Sequence, residues 1–331
     1  MPPHVPRSFI YISVAGTTFG AAYLTKDYMG GNKYKGKEDL TGKTVIVTGA
    51  NTGIGKETAL VLASRGAKVI LACRDSKKCE ETRRNIVLGT RNKYVYCRKC
   101  DLASQESIRG FVERFKKEHD KLDILINNAG VMRCPKSYTK DGIEMHLGVN
   151  HMGHFLLTNL LLDILKDSAP ARIVNLSSTA HRRGKINTED LNLNKDYDPG
   201  SAYAQSKLAN ILFTRELANR LRGTGVTVNA VHPGIVDTEI TRHMWVFNNG
   251  FIRILLTPFI WPFIRAPAQG AQTVLYAALD PNLTDVTGCY FDNCEAKEVS
   301  DEAKNDNLAK WLWKVSEKWT KLHATAQLNN V

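Results

Sequence analysis

The sequence of 331 residues has no internal repeat, no low-complexity tract and no zinc-type spacing of cysteine and histidine. Its seven cysteines are scattered and odd in number. They do not form the pattern of a disulfide framework, so a reducing or thiol-tolerant location is expected. The composition is 43% hydrophobic, 24% charged and 8% aromatic. These values are typical of a globular protein and argue against disordered, collagenous and coiled-coil classes.

Acidic residues are too few to balance the basic ones: 33 Asp and Glu against 45 Lys and Arg give a net charge of +12. Residues 65–140 hold most of the excess, with 19 basic and 9 acidic side chains. Such a charge suits nucleic acid, a membrane surface or an anionic ligand. No basic-zipper or aromatic-basic RNA pattern accompanies it, so nucleic acid is not an expected partner.

A long hydrophobic run is also missing. The longest uncharged apolar stretch near the N-terminus, residues 9–24, has the length of a helix of about 24 Å, short of the ~20 residues that usually span a bilayer. We interpret it as an N-terminal apolar anchor. A signal segment or a buried helix remains an alternative.

After residue 41, apolar runs typical of β-strands alternate with longer segments of helical periodicity. The strands are predicted at 44–48, 68–72, 94–97, 123–126, 172–176, 227–231 and 289–291. This alternation predicts an α/β fold, a single Rossmann-type doubly wound parallel sheet of about seven strands with helices on both faces. We expect the anchor and a linker at 1–40, the domain at 41–300 and a C-terminal helical extension at 301–331.

A glycine-rich turn, TGANTGIG, lies at residues 48–55 between a predicted strand and a predicted helix. Glycines let the backbone approach a pyrophosphate, and the N-terminus of the helix favours its negative charge. The cofactor-binding residues predicted here are Gly49, Asn51, Thr52, Gly53, Ile54 and Gly55.

The end of the second predicted strand indicates which nicotinamide cofactor binds. Arg74 stands there with no carboxylate before it, and an arginine at this place accommodates the 2′-phosphate of NADP(H). Asp75 follows directly, and an acidic residue would instead favour NAD. We predict NADP(H).

Further polar motifs follow the later strands, at the edge where open α/β sheets bind ligands. They are NNAG at 127–130, Asn150 in GVNHMGHF, Ser177 and Ser178, Tyr203 and Lys207 in YAQSK, and Pro233 and Gly234. In this order they resemble the short-chain dehydrogenase/reductase family over residues 41–300. Within it, LACRD, DGIEMHLGVNHMGHFLLTNLLL and YAQSKLANILFTREL resemble the membrane-bound retinol dehydrogenases.

The residue types suit hydride transfer to a carbonyl, which leaves an alkoxide that needs a proton. Tyr203 is the predicted acid/base, and Lys207, one helical turn later, is expected to lower its pKa. Ser178 would orient the substrate oxygen, and it is preferred to Ser177 because side chains alternate along a strand. The separation between Ser178 and Tyr203 is long, so Ser177 remains an alternative for this role.

The resemblance implies further roles. Lys207 would bind the nicotinamide ribose, and Asn150 would hold a water that links Lys207 to solvent. The remaining implied cofactor contacts are Asp101, Leu102, Asn128, Ala129, Gly130, Pro233, Gly234, Val236 and Thr238. No metal site is expected.

The resemblance also implies a lipophilic substrate, with reduction of all-trans-retinal favoured, and attachment to the mitochondrial inner membrane. The endoplasmic reticulum is the alternative location, and a homodimer is possible. Reduction of steroid or fatty-aldehyde carbonyls remains an alternative because specificity would come from residues 237–264. A non-catalytic cofactor-binding scaffold is a further alternative. The C-x-x-C of Cys97 and Cys100 lies on a predicted strand, which argues against a thioredoxin-like site.

Overall fold

A computed structural model describes residues 13, 16–17, 20–21, 23–26, 28–236 and 264–323. The predicted contact Thr238, most of the predicted specificity region 237–264 and most of the predicted anchor 9–24 lie outside the described residues. Within the described part, no helix is both long enough and apolar enough to cross a membrane.

The sheet has eight strands in the order β3-β2-β1-β4-β5-β6-β7-β8. Seven strands pair in parallel, and the last pair, β7 and β8, is antiparallel. The strands are β1 Thr44–Thr48, β2 Lys68–Cys73, β3 Val95–Lys99, β4 Ile124–Asn127, β5 Ala171–Leu176, β6 Val226–His232, β7 Tyr290–Asp292 and β8 Glu295–Ala296. The predicted Rossmann-type parallel sheet is confirmed. The eighth strand, β8, was not predicted, because its two residues are too few to show the alternation of apolar and polar side chains that marks a strand.

Helices cover both faces of the sheet, as predicted. The helices are α1 Gly53–Ser64, α2 Ser76–Thr90, α3 Gln105–Glu118, α4 Gly153–Leu160, α5 Leu162–Asp167, α6 Pro199–Arg220, α7 Pro267–Leu279 and α8 Asp306–Trp319. Alternate residues of β1 divide between the two layers: Ile46 packs into the core with α3 and α4, whereas Val45 and Val47 pack into the core with α1 and α7. Strands buried on both faces therefore read as continuous apolar runs.

Helix α6 carries two of the predicted catalytic residues. Asp198 starts it by accepting a hydrogen bond from the backbone N–H of Ser201 at 2.7 Å, and Pro199 occupies its first turn. Most of its residues are buried, because it packs against β5, β6 and α8. This burial on several sides gives the polar side chains of α6 fixed positions.

The chain outside the predicted domain packs onto it. In α8 the Trp313 ring lies 4.9 Å from the Phe155 ring. In the predicted linker, Leu40 is buried and the Tyr34 ring lies 6.1 Å from that of Tyr276. The linker is thus extended along the domain surface, while the domain limits at residues 40 and 300 stay predictions.

Two cysteines form a disulfide, Cys79 of α2 and Cys97 of β3. The expectation of unpaired thiols is therefore wrong for this pair. Helix α2 packs directly on β3, and this tertiary contact brings together residues that are 18 positions apart. Cys97 thus pairs outside the C-x-x-C motif, and Cys100 is a separate, buried thiol.

Candidate active site

One cavity of about 1100 Å³ opens at the carboxyl ends of β1, β2, β4, β5 and β6. Every predicted site residue within the described part lines this cavity, except Asn150. The fold therefore brings together residues from Gly49 to Val236 that are far apart in sequence.

The turn between β1 and α1 leaves room for an anion. Gly49 has φ +63°, and a Cβ there would lie 2.9 Å from the Cα of Ala129. A Cβ on Gly55 would lie 2.4 Å from Nδ2 of Asn128. Thr52 precedes α1, but its side chain caps no N–H of the helix, and the first turn has no acidic residue. Unsatisfied N–H groups beside a close backbone approach fit the pyrophosphate of a dinucleotide.

The NNAG segment is held to this turn by a residue that sequence reasoning missed. The hydroxyl oxygen of Thr48 accepts hydrogen bonds from the N–H groups of Asn128 and Ala129, at 2.9 and 3.0 Å. The same hydroxyl lies 2.9 Å from Nε2 of His154, whose Nδ1 lies 3.0 Å from the carbonyl oxygen of Asn150. Burial lowers the pKa of His154 to about 4, so the imidazole is neutral and links these segments without charge. Thr48 begins the TGANTGIG motif, which was the available signal.

At the far end of the cavity, Arg74 is exposed at the end of β2. The carboxylate of Asp75 accepts hydrogen bonds from the N–H groups of Lys77 and Lys78, at 3.0 and 3.1 Å, and so caps α2. Asp101 and Leu102 line the wall nearby. Asp75 is engaged by its own helix, and the cations Arg74 and Lys78 line this end beside it.

The catalytic candidates meet where β5 ends against α6. Nζ of Lys207 lies 5.6 Å from the centre of the Tyr203 ring and donates a hydrogen bond to the carbonyl of Leu176 at 3.1 Å. The hydroxyl of Ser178 lies close enough to that of Tyr203 to favour the phenolate, and it accepts a hydrogen bond from the N–H of Ala180 at 3.2 Å. Ser177 is buried and donates to the carbonyl of Lys207 at 2.8 Å. The structure thus gives the two serines different partners, and the choice of Ser178 stays a prediction.

The pKa of Tyr203 moves in the direction opposite to the prediction. Burial raises it to about 12, and the hydrogen bond from Ser178 and the charge of Arg183 act only partly against this. Burial also lowers the pKa of Lys207 to about 8. Removing the phenol from water disfavours its charged form more than its neighbours favour it. Tyr203 in the protein alone is therefore a neutral proton donor.

Asn150 lies in a π-helical turn, Leu147–Met152, and does not line the cavity. Its side-chain oxygen accepts from the N–H of Val131 at 2.8 Å, and its Nδ2 donates to the carbonyl of Val131 and to Oγ of Ser206, at 3.0 and 2.9 Å. The side chain thus joins the loop after β4 to α6, a positioning role. The predicted water link to Lys207 stays a prediction.

A buried polar cluster behind Tyr203 was also missed. Nδ1 of His146 lies 2.7 Å from Oε1 of Glu144, and both side chains are fully buried. Sγ of Cys134 lies 3.5 Å from Nε2 of His146, whose ring is 6.3 Å from that of Tyr203. Burial lowers the pKa of His146, but the hydrogen bonds with Cys134 and Glu144 outweigh this and raise it to about 9. The segment DGIEMH did not predict this cluster, because a glutamate and a histidine near each other in sequence do not show that both side chains are buried.

A metal ion has no evident place in this arrangement. Within residues 28–236, 264–323 and the short described pieces before them, no three His, Cys, Asp or Glu side chains are grouped so that they could hold one. His151 and His154 are buried, and burial lowers the pKa of both.

The His146–Glu144 pair predicts a pH-dependent stability. Folded His146 keeps its proton up to about pH 9, whereas the unfolded side chain has the ordinary histidine pKa of 6.5. Its contribution to the free energy of unfolding is therefore fully present below pH 6.5 and is lost as the pH rises through about 9. We expect His146→Gln to destabilise the protein more at pH 6 than at pH 10, as measured by urea unfolding.

The control is His323→Gln, which removes an exposed imidazole from the end of the described chain. Its effect on the free energy of unfolding should be small at both pH values, because an exposed ion pair contributes little. If the free energy of unfolding lost in His146→Gln does not vary with pH, the imidazole of folded His146 is neutral.

Comparison with known proteins identifies the family. A family model for short chain dehydrogenase matches residues 43–247. Retinol dehydrogenase 13 of Mus musculus is 53% identical over 308 residues, 93% of this chain and 92% of that protein. The N-terminal AAYLTKDYMGG and the RCP at 133–135 are the segments from which the sequence predicts a likeness to this relative.

Two solved structures share the fold. An uncharacterized protein from Mycobacterium paratuberculosis is 36% identical with a TM-score of 0.69, over 88% of this chain and 98% of that one. A short chain dehydrogenase from Escherichia coli CFT073, complexed with NADPH, is 25% identical with a TM-score of 0.62, over 78% of this chain and 99% of that one. With the site geometry described above, these matches show that the chain belongs to the short-chain dehydrogenase/reductase family of oxidoreductases.

Proposed function

We propose that this protein is an NADP(H)-dependent oxidoreductase that interconverts retinal and retinol, with reduction of all-trans-retinal favoured. The observation that carries this proposal is the meeting of Ser178, Tyr203 and Lys207 in the same cavity as the glycine-rich turn. The 53% identity with a retinol dehydrogenase over 308 aligned residues supports the substrate class.

A nicotinamide cofactor, when bound, supplies or accepts the hydride. The chain's own residues handle the oxygen and the proton. Ser178 orients the substrate oxygen by a hydrogen bond, and Tyr203 gives its phenolic proton to that oxygen during reduction. The raised pKa of Tyr203 keeps this proton in place before reaction. The charge of Lys207, one helical turn away, favours the phenolate that remains.

The preference for NADP(H) rests on the far end of the cavity. Arg74 is available there for a 2′-phosphate, while the carboxylate of Asp75 is engaged at the start of α2. The NADPH complex of the E. coli relative is consistent with this cofactor.

A lipophilic substrate and membrane attachment complete the proposal. Apolar side chains line the catalytic end of the cavity, namely Val131, Met132, Val149, Ile235 and Ile264. We expect attachment through the apolar residues 9–24, at the mitochondrial inner membrane or, alternatively, at the endoplasmic reticulum. A homodimer is possible. These last points rest on sequence resemblance.

A panel of carbonyl substrates tests the function. Purified protein should oxidise NADPH faster with all-trans-retinal than with a steroid ketone or a fatty aldehyde, and faster than it oxidises NADH. The measurement is initial rate at saturating cofactor. Equal turnover of all three carbonyls would contradict the retinoid assignment, and no turnover of any would favour the non-catalytic scaffold.

The two serines give a matched pair for the catalytic role. Ser178→Ala should lower kcat about 100-fold, because a hydrogen bond to the reacting oxygen is lost. Ser177→Ala should instead lower the free energy of unfolding by about 1 kcal/mol, because it breaks the bond to the Lys207 carbonyl. Tyr203→Phe should abolish turnover and keep NADPH binding. If Ser177→Ala caused the larger loss of kcat at unchanged stability, the assignment of the serines would be reversed.

The role of Arg74 is tested by cofactor binding. Arg74→Gln should weaken NADPH binding about 10- to 100-fold, the range for a charge-assisted hydrogen bond, and leave NADH binding nearly unchanged. Arg84→Gln is the control. Arg84 is exposed on α2, the helix that follows Arg74, but it does not line the cavity. A similar loss of affinity for NADPH and for NADH would show that Arg74 does not bind the 2′-phosphate.

A further inference from the structure

The two ends of the cavity differ in charge. Among the described residues that line it, the carboxylates are Asp75 and Asp101, and both lie at the adenosine end, after β2 and β3. Arg74 and Lys78 line that end too and balance the two carboxylates, whereas the charged residues at the catalytic end are all cations, namely Arg133, Arg182, Arg183 and Lys207. Cations gathered in a cleft with low-dielectric walls attract an anion. The proposed neutral substrate carries no negative charge for these cations to bind.

Arg183 is the member of this group that is best placed for a ligand. It ends a 3₁₀ turn, Thr179–Arg183, which starts directly after Ser178. The turn is fixed by His181, whose Nδ1 donates to the carbonyl of Ser178 at 2.6 Å and whose Nε2 accepts from the N–H of Ser300 at 3.4 Å. The backbone that carries Arg183 is therefore held firmly beside the reacting groups.

The neighbouring arginines are partly engaged. Nη2 of Arg182 donates to the carbonyl of Glu298 at 2.6 Å, and the carboxylate of Glu298 pairs with Lys304 at 2.8 Å. Arg133 lies close enough to Asp198 for its charge to help lower the pKa of that carboxylate, after the backbone hydrogen bond from Ser201. Within the part of the chain that the structure describes, no carboxylate forms an ion pair with Arg183.

The cofactor does not account for Arg183. Its pyrophosphate would be held at the turn between β1 and α1, by N–H groups, and its adenosine phosphate by Arg74 after β2. Arg183 follows β5 instead, and its charge acts on the hydroxyl of Tyr203, favouring the phenolate. Arg183 is exposed, lines the cavity and lies within electrostatic reach of the Tyr203 hydroxyl.

We propose that the active site takes lipophilic carbonyl compounds that also carry a carboxylate, which Arg183 binds, with Arg182 and Arg133 beside it. The inference rests on the proposed oxidoreductase function and adds a second class of substrate to neutral retinal. The apolar walls would hold the chain of such a compound, and a guanidinium matches a carboxylate with two parallel hydrogen bonds. The aldehyde carbon gains the hydride of the nicotinamide cofactor, and its oxygen gains the proton of Tyr203. The carboxylate takes no part in the reaction.

The test compares 12-oxododecanoate with its methyl ester, two aldehydes of equal chain length that differ in charge. We expect wild-type kcat/KM to be about tenfold higher for the acid. Arg183→Gln should lower the ratio of acid to ester about tenfold, and Arg183→Lys should restore part of it. The control is Arg222→Gln, which removes an exposed arginine outside the cavity and should leave the ratio unchanged.

A binding measurement separates this inference from the proposed function. Titration calorimetry of the NADPH-loaded protein with dodecanoate and with dodecanol needs no turnover. Selective loss of dodecanoate binding in Arg183→Gln supports the anion site even if retinal is not reduced. An unchanged ratio of acid to ester, or equal binding of both ligands by wild type and variant, overturns the inference.

A membrane surface is the competing use of these cations. If Arg183→Gln weakens binding to vesicles of phosphatidylglycerol and phosphatidylcholine but leaves the ratio of acid to ester unchanged, the inference is also overturned. That result would show that Arg183 binds lipid headgroups.

Discussion

The rest of the active site depends on the buried ammonium of Lys207 and its hydrogen bond to the carbonyl of Leu176, at the end of β5. That carbonyl also accepts from Nδ2 of Asn210 at 2.9 Å, and Ser177 donates back to the carbonyl of Lys207. A buried charge without partners is costly, so α6 is stable in the register that completes these bonds. In that register Tyr203 lies beside Ser178.

The same desolvation that fixes this register also sets the chemistry. It lowers the pKa of Lys207 to about 8 and raises that of Tyr203 to about 12. A phenol that holds its proton is suited to protonating an alkoxide. The reverse reaction, which needs the phenolate, depends on nearby positive charge. Lys207 and Arg183 provide that charge, so the cations at this end serve both the acid/base group and the substrate.

The fold and most of the cavity lining could be predicted from the sequence. Parallel strands buried on both faces are continuous apolar runs, and ligand-binding groups follow them at the carboxyl ends. The residues that were missed act through contacts between distant segments: Thr48 across to NNAG, His146 against Glu144 and Cys134, and Cys79 across to β3. None of these contacts leaves a periodic or spaced pattern, because each arises where two elements pack.

By itself, the sequence determined the parallel α/β sheet, the glycine-rich turn and the Ser-Tyr-Lys set, because strand alternation and helical spacing are local properties of the chain. Tertiary structure alone decided that Ser177 donates to the Lys207 carbonyl, that Asp75 caps a helix, that the pKa of Tyr203 rises, and that Arg183 has no carboxylate paired with it among the described residues. Each of these depends on burial and on neighbours from other segments. Solvent exclusion and electrostatic partners are properties of the packed protein, which no local pattern of residue types encodes.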